Sequence, residues 1–451
     1  MMLVVLGGPC ILHGQQGVVA ATPPMGWNSW DAYGLTITED QFRANAKVLA
    51  EKLKPFGWEY AVIDEGWFLK NPLDRPKPEL LEYEIDGYGR YVPVPARFAS
   101  SVDATGVTEG FKKLGADIHG MGLKFGIHIV RGIPRVAVAA NLPVEGSAFH
   151  AVDVADKSDV CPWDPTNWGV RNDAAGQAWY DSLLKQYAGW GVDLIKVDCI
   201  SDHPYKIDEI RMIRRAIDKA TAKTGRAMVL SLSPGPTALE HAAEVGAEAQ
   251  MWRISDDFWD YWQSATQKEY PQSLVRQFDN LAAWAKYTRP GNWPDADMLP
   301  LGELRPVPGE GKPRSTRLTA TEQRTLLTLW SMARSPLVLG ANLTLLDAAT
   351  LKLLTNKDVI ALDQRSNGGH EAGREGSAVA WTAHGEGGTE YLALFNIGDG
   401  TVEYKAGLQS YGLPAGSYAI RDVWEERALG RGTEVAGKVE AHSVVLYELR
   451  R

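Results

Sequence analysis

The sequence predicts an α/β protein: a (β/α)8 TIM barrel followed by a C-terminal antiparallel β-sandwich domain. From residue 22 to residue 366, short apolar runs rich in Val and Ile alternate with longer amphipathic segments, and parallel strands require such crossover helices. From residue 367 to residue 451, short alternating runs separated by Gly turns indicate an antiparallel sheet. The chain has 451 residues, more than the ~250–300 at which a single core stops growing, so two domains are expected.

The predicted barrel strands are eight short apolar runs. They cover residues 25–30, 60–64, 124–129, 193–198, 227–233, 251–255, 292–298 and 336–340. Four of the segments between them have helical periodicity, and several of these end in Gly, a common residue at helix ends. They cover residues 39–57, 178–191, 208–225 and 319–333. A doubly wound open sheet is the alternative architecture, but no G-x-G-x-x-G turn follows the first predicted strand.

Residues 1–21 are predicted to be a secretory leader that the mature protein lacks. The segment is apolar, contains no Lys, Arg, Asp or Glu, and ends in the small residues Ala20 and Ala21. It lacks the basic residue that usually opens a signal peptide, so an unstructured tail is the alternative. The leader predicts a secreted or periplasmic protein. Because such compartments allow disulfides, Cys161 and Cys199 are either bridged or two free thiols.

The composition argues against several classes of partner. The formal net charge of −9 disfavours nucleic acids and anionic membranes, because neither attracts an acidic surface. No run after the leader reaches the ~18 apolar residues of a membrane span, so no membrane insertion is expected. No C-x-x-C or H-x-x-x-H spacing indicates a metal site, and no cofactor is expected. The 16 Trp side chains offer flat apolar faces for sugars, although most Trp in proteins is core.

Acidic residues follow five of the eight predicted strands. They are Asp31, Asp64, Glu65, Asp198, Asp256, Asp257, Asp295 and Asp297. Capping of a helix or strand end explains any single one of these acids. In a barrel, however, the carboxyl ends of all strands meet at the active-site face, so these acids are expected to lie close together.

Two chemistries use many carboxylates in one pocket: Mg²⁺ binding and glycoside hydrolysis. Lys196 precedes Asp198 by two residues, and an ammonium keeps a nucleophilic carboxylate ionised but repels a divalent cation. Arg253 and the Trp-rich surroundings also favour the glycosidase over the metal enzyme.

Seven segments resemble, in order and spacing, the alpha-galactosidases of glycoside hydrolase family 27. They are PPMGWNSW (23–30), YAVIDEGW (60–67), KFGIH (124–128), DLIKVD (193–198), WRISDDFWDYW (252–262), PDADML (294–299) and LTLWSMARSPLVLGANL (327–343). The resemblance implies a (β/α)8 barrel with an antiparallel β domain. It also implies hydrolysis of a terminal alpha-galactoside with retention, by double displacement through a covalent intermediate on Asp198.

The resemblance assigns the acid/base role to Asp257. The family pattern places the proton donor four residues after Arg253 and follows it with D-x-x-D-x-W, a frame that begins at Asp257. The competing Asp256 is interpreted as a structural acid paired with a neighbouring Arg. We expect burial against Phe258 and Trp259, and repulsion from Asp256, to keep Asp257 protonated.

The resemblance also assigns seven residues to substrate binding. It implies that Lys196 and Arg253 contact the hydroxyls near C2 and C3, and that Asp64 and Glu65 receive hydroxyls on the far side. It also implies that Trp30 stacks on the ring and that Asp297 with Met298 completes the floor. His128 either contacts the substrate or satisfies a core hydrogen bond.

Glu65 departs from the family pattern, which has two adjacent aspartates after strand two. The extra methylene moves the carboxylate about 1.5 Å into the space of the galactose C6 group. L-arabinopyranose has the same ring hydroxyls without C6, and family members that resemble this variant are beta-L-arabinopyranosidases. Excluding one small group is typically worth about 1–3 kcal/mol, so the galactoside remains the first prediction and the beta-L-arabinopyranoside the alternative.

Cys199 is a second departure, because the family often bridges it to a cysteine after strand three, where this chain has none. Cys161, further along the same loop, is the candidate substitute. A metal-dependent barrel enzyme and an inactive sugar-binding protein are more distant alternatives, and the presence of both Asp198 and Asp257 argues against the latter. The expected partners are terminal galactosides or L-arabinopyranosides of oligo- or polysaccharides. The sequence does not indicate the oligomeric state.

Overall fold

The structure is a computed structural model that describes residues 17–72, 80–263, 271–305 and 312–451. Its first domain contains a parallel sheet of eight strands, β1 to β8 in chain order. They are Met25–Asn28, Tyr60–Ile63, Lys124–Val130, Leu194–Asp198, Val229–Leu232, Met251–Arg253, Trp293–Asp295 and Leu337–Leu339.

The strands follow one another around a closed barrel. β1 to β7 are neighbours in sequence order, and β8 returns to pair with β1. The ring closes just beyond β7, where Leu299 N donates to Val338 O at 2.7 Å and Leu299 O accepts from Gly340 N at 3.1 Å. The predicted (β/α)8 barrel is therefore confirmed.

One crossover helix follows each strand, and we number these helices α1 to α8. They are Glu39–Val48, Lys112–Gly120, Ala174–Gly189, Ile207–Thr224, Ala242–Glu248, Leu274–Trp284, Ala320–Ala333 and Lys357–Arg365. The predicted helical segment over 39–57 is found, but only its first part is α-helical: a π-helical turn, Leu49–Leu53, and a 3-10 turn, Lys54–Phe56, follow α1. Pro55 lies in the 3-10 turn and lacks the N–H that a continuing α-helix needs.

The segment between β3 and α3 carries its own small sheet. Its three antiparallel strands are Ile133–Pro134, Ala155–Val160 and Asn167–Val170. Short helices also lie outside the barrel pattern: Trp30–Tyr33, Arg135–Ala139, Ala151–Val154 and Ala348–Leu354. A disulfide between Cys161 and Cys199 attaches this long segment to the residue that follows β4.

The interior of the barrel is apolar at its amino-terminal end. Tyr60, Val62, Leu194 and other inward side chains form a layer that includes the fully buried Trp293. Residues 17–21 cover this end: Val19 and Ala20 pack on the layer, and Trp293 Nε1 donates to Ala20 O at 2.7 Å. These residues belong to the predicted leader, whose residues 1–16 lie outside the described residues.

The second domain begins at Asn367, directly after α8. Its eight antiparallel strands, β9 to β16, form a six-stranded sheet of order β9-β10-β11-β16-β13-β14 and a two-stranded sheet of β12 with β15. In chain order they are Asn367–Glu375, Ala378–His384, Thr389–Asn396, Val402–Gly407, Tyr418–Asp422, Arg427–Gly432, Glu434–Val439 and Val444–Arg450.

The central strands of the six-stranded sheet, β10, β11 and β16, are mostly buried, whereas its edge strands β9 and β14 are largely exposed. One face packs against the two-stranded sheet through Leu392, Leu449 and Val435. The other packs on the barrel, where the rings of Phe278 and Phe395 meet at 5.0 Å. The predicted β-sandwich is confirmed. Among the described residues, none of the helices combines the length and the apolarity that crossing a membrane requires.

Candidate active site

A small pocket lies at the carboxyl end of the barrel strands and contains all nine residues that the sequence assigns to the site. The lining residues are Trp30, Asp31, Asp64, Glu65, Lys196, Asp198, Ser233, Arg253, Asp257, Phe258, Trp259, Asp297 and Met298. Asp256 is not among them, so the structure places only Asp257 of the two neighbouring acids at the pocket.

The alternation of β4 explains how a strand inside the barrel carries two charges. Side chains two residues apart point to the same face of a strand. Leu194 lies in the apolar inner layer, and Lys196 and Asp198 continue the same inward row toward the pocket. Ile195 and Val197 point the other way, into the core beneath the helices. The strand therefore ends in an ammonium and a carboxylate facing the cavity.

Asp198 is held as a carboxylate by its neighbours. Its Oδ1 accepts from Cys199 N at 2.6 Å, and its Oδ2 lies 3.3 Å from His128 Nε2. Burial by itself raises the pKa of Asp198, but His128, the positive charge of Lys196 and the Cys199 N–H together lower it below its usual value. His128 is buried and does not line the pocket, so of the two alternatives for this residue the structure favours the buried hydrogen bond, here with the candidate nucleophile, over contact with the substrate.

Lys196 makes its direct contact with Asp64. Its Nζ donates to Asp64 Oδ2 at 2.9 Å, and the same oxygen accepts from Asn28 Nδ2 at 2.6 Å. Burial opposes the charge of both groups, but the pKa of Asp64 is lowered by Lys196 and the pKa of Lys196 is raised by Asp64 and Asp198. The expectation that the charge of Lys196 keeps Asp198 ionised is confirmed, because Lys196 lowers the pKa of Asp198 through space while its hydrogen bond goes to Asp64.

Arg253 joins Asp257 to Asp297. Its Nη2 lies 3.2 Å from Asp257 Oδ1 and 2.8 Å from Asp297 Oδ2. Asp297 Oδ2 also accepts from Phe258 N at 2.7 Å, which fixes the backbone next to Asp257. Burial raises the pKa of Asp297 to about 6; the repulsion of Asp257 and Asp295 adds to this, and Arg253 opposes it.

The expected burial of Asp257 is not found. Its side chain is 41% exposed, although Phe258 and Trp259 beside it are buried. The Asp257 carboxyl is therefore accessible to a leaving group and to water, whereas the Asp198 side chain is only 17% exposed and lies beside the buried His128.

Two further acids act on the charges of the site, and the sequence analysis did not identify them as site residues. Burial raises the pKa of Glu65, and the largest contribution from another charge comes from Asp164, followed by Asp198. Asp164 belongs to the long segment after β3, and its only sequence signal is the W-D-P run that follows Cys161.

Asp31 is the second of these acids: the sequence places it after the first predicted strand but does not assign it to the site. It is 2% exposed, and among the described residues its Oδ2 has no hydrogen-bond partner. A Cβ on Gly340 would lie 1.9 Å from this oxygen, so the carboxyl occupies space that only a glycine leaves free. Burial raises the pKa of Asp31 strongly, and the charge of Asp297 adds to this effect.

Cys161 and Cys199 form a disulfide, which resolves the alternatives that the sequence left open. The bond joins positions 38 residues apart with a Cα–Cα distance of 6.0 Å. It ties the segment after β3 to the residue that directly follows Asp198.

The assembled pocket suits an uncharged polar ligand. It sets Lys196 and Arg253 among several carboxylates and adds the indoles of Trp30 and Trp259. Within the described ranges no group of three or more His, Cys, Asp or Glu side chains is arranged to hold a metal ion. Donors and acceptors around an aromatic face are the groups that recognise a ring of hydroxyls.

Known proteins match this chain over almost its whole length. The sequence model described as Alpha galactosidase A matches residues 173–365, and the one described as Alpha galactosidase C-terminal beta sandwich domain matches residues 375–449. The curated Alpha-galactosidase 2 of Arabidopsis thaliana is 26% identical over 438 residues, which cover 96% of this chain and 90% of the plant protein.

Solved structures match as well. A β-L-arabinopyranosidase of glycoside hydrolase family 27 from Geobacillus stearothermophilus is 42% identical, covers 96% of this chain and 97% of its own, and has a TM-score of 0.88. Alpha-galactosidase I of Mortierella vinacea is 25% identical, covers 96% of this chain and 97% of its own, and has a TM-score of 0.72.

Proposed function

Because this chain belongs to glycoside hydrolase family 27, we propose that it releases terminal alpha-galactose from oligo- or polysaccharides with retention of configuration. One observation carries the proposal: Asp198 and Asp257 line a single pocket together with Lys196 and Arg253. Two carboxyl groups with different environments are what double displacement at a sugar carbon requires.

In the first step Asp198 attacks the anomeric carbon, and the bond to the leaving oxygen breaks. Asp257 donates its proton to that oxygen, so the aglycone leaves as a neutral alcohol. In the second step Asp257 takes a proton from water, the water oxygen bonds to the anomeric carbon, and Asp198 is released. The low pKa of Asp198 supports its role as the nucleophile, and the exposure of Asp257 suits a group that must meet both aglycone and water.

The remaining lining residues bind the sugar in this proposal. Lys196 and Arg253 donate to the hydroxyls near C2 and C3, and Asp64 and Glu65 accept from hydroxyls on the opposite side. Trp30 stacks on the ring, and Asp297 with Met298 forms the floor. Asp297 also orients Asp257, because its carboxylate binds both Arg253 and the Phe258 N–H.

The test is hydrolysis of 4-nitrophenyl alpha-galactoside, followed by proton NMR of the first product. We expect alpha-galactose to appear before its mutarotation product. Asp198→Ala should lose turnover and keep the parent's melting temperature within a few degrees, and added azide should restore aglycone release from an activated substrate. First-formed beta-galactose, or an active Asp198→Ala variant, would refute the proposal.

A beta-L-arabinopyranoside is the second candidate substrate, and two specific observations favour it. Glu65 stands in the pocket where the family pattern has Asp. The arabinopyranosidase from Geobacillus stearothermophilus is 42% identical to this chain, and a variant of that enzyme was solved in complex with arabinose. The two glycosides share the configuration of the anomeric carbon and ring hydroxyls, so the same two-step chemistry serves both.

We also propose that the protein is exported. The disulfide between Cys161 and Cys199 supports this, because such bonds persist in oxidising compartments. Fractionation of the producing cells, with activity measured in each fraction, tests the location; activity confined to the cytoplasm would refute it.

A further inference from the structure

Arg131 is a buried cation directly behind the candidate nucleophile. It follows the last residue of β3, and it is only 2% exposed. It is not among the residues that line the pocket, so it does not meet the sugar. Its role must therefore lie in what it binds inside the protein.

The backbone and side chain of Arg131 hold both residues at the end of β4. Arg131 N donates to Asp198 O at 3.2 Å, and Arg131 Nε donates to Cys199 O at 2.5 Å. Between these two contacts, Cys199 N donates to the Asp198 carboxylate at 2.6 Å. The orientation of that carboxylate thus depends on where the peptide after Asp198 is held.

That peptide needs to be held, because its conformation is not one the chain prefers. Cys199 has φ of 61°, in the left-handed region that costs a non-glycine residue free energy and persists only where its surroundings enforce it. Two links from one segment act on Cys199: the disulfide to Cys161 and the hydrogen bond from Arg131.

The guanidinium is itself fixed by two carboxylates on different elements. Its Nη1 donates to Glu209 Oε1 at 2.8 Å, and its Nη2 donates to Asp159 Oδ1 at 2.9 Å. Glu209 lies in the first turn of α4 and also accepts from Tyr180. Asp159 lies in the small sheet and pairs with Lys206 at 2.7 Å. Two acids thus face two cations, and the charges balance.

We propose that Arg131 is a positioning residue that fixes the attack angle of Asp198 by clamping the Asp198–Cys199 backbone to α4 and the small sheet. The proposal rests on the assignment of Asp198 as the nucleophile. A misplacement of about 1 Å at a reacting group can reduce the rate about 100-fold. Loss of the clamp should therefore reduce turnover more than substrate binding.

The test compares Arg131→Lys with a matched control, Arg90→Lys. Arg90 is 8% exposed and pairs with Asp86 at 2.7 Å and Glu145 at 2.6 Å, so both changes disturb a buried arginine with two acidic partners. Neither Arg90 nor its partners line the pocket. Melting temperature, kcat, KM and the rate of covalent labelling of Asp198 by a 2-deoxy-2-fluoro glycosyl fluoride are measured for both.

Arg131→Lys should lower kcat and the labelling rate by about 10- to 100-fold, with KM within about threefold of the parent. Arg90→Lys should keep kcat within about twofold at a similar loss of melting temperature. Equal effects of the two variants on kcat, or an unchanged labelling rate in Arg131→Lys, would overturn the clamp.

Two further arms complete the test. If Arg131→Lys does not fold, Glu209→Gln keeps the arginine and removes one anchor. It should lower kcat severalfold with KM unchanged, and parent-like kcat would count against the clamp. If the parent hydrolyses neither aryl glycoside, the proposed function fails; a crystal structure of Arg131→Lys then tests the clamp alone, and an unmoved Asp198 carboxylate would overturn it.

Discussion

Lys196 donates a 2.9 Å hydrogen bond to Asp64 Oδ2, although Asp198 is the acid two residues away on the same strand. Asp64 follows β2, so the pair joins two strands across the inside of the barrel. The ammonium stabilises one carboxylate by contact and the other through space. One cation therefore serves both the binding side and the nucleophile side of the pocket.

Lys196→Met should be strongly destabilising as well as inactive. It leaves Asp64, 2% exposed, without its cation, and removing one partner of a buried pair typically costs about 3–5 kcal/mol. Chemical denaturation measures the loss. The double variant Asp64→Asn/Lys196→Met should recover most of the free energy of unfolding and none of the hydrolysis.

The control for this charge removal is Lys219→Met. Lys219 pairs with Asp181 at 2.7 Å but is 72% exposed, and such a pair is worth at most about 1 kcal/mol. Equal losses of unfolding free energy in the Lys196 and Lys219 variants would show that the buried pair of Lys196 and Asp64 stabilises the protein no more than an exposed pair does.

Glu65→Asp should shift the choice of substrate toward the galactoside. Shortening the side chain reopens space for the C6 group, and a small steric exclusion of this kind corresponds to about 5- to 150-fold in relative rate. The measurement is the ratio of kcat/KM for 4-nitrophenyl alpha-galactoside and 4-nitrophenyl beta-L-arabinopyranoside. Glu240→Asp, at an exposed position, is the matched control. A ratio that does not change would remove Glu65 from the specificity argument.

The barrel and the position of its site could be predicted because both follow from short-range patterns. Alternation within a strand places Lys196 and Asp198 on one face, and closure of the barrel brings the ends of six strands, β1, β2, β4, β5, β6 and β7, to the same pocket. No distant contact needs to be known for either step, since the periodicity of the strands and helices determines them.

The details that the sequence missed or left open all depend on contacts between distant parts of the chain. Asp164 reaches Glu65 because the segment after β3 folds back over the barrel. The same folding forms the bridge between Cys161 and Cys199. The exposure of Asp257 depends on which residues from elsewhere in the chain pack around it. The periodicity of the strands carries no information about such contacts.

The end of the predicted leader can be tested through stability. A chain that starts at Thr22 lacks Val19 and Ala20, so Trp293 loses its acceptor and its apolar cover. Leaving a buried donor unpaired costs about 1–3 kcal/mol. The free energy of unfolding should fall by about that amount relative to a chain that starts at Gly17, with kcat unchanged because the pocket is at the opposite end. Equal stability of the two chains would show that residues 17–21 do not matter to the fold.

Asp297 should make the stability of the protein depend on pH in the mildly acidic range. Its pKa is raised from 3.8 to about 6 by burial and by the charges of Asp257 and Asp295. The stabilisation from the bound proton is complete below pH 3.8 and is lost as the pH rises through 6.

Asp297→Asn does not titrate, so between pH 4 and pH 7 the parent should lose up to about 3 kcal/mol of unfolding free energy relative to this variant. Urea denaturation of both proteins across this range measures the difference, and Asp218→Asn at an exposed position controls for the substitution itself. Parallel stability profiles for the parent and Asp297→Asn would mean that Asp297 stays ionised throughout, with Arg253 outweighing its burial.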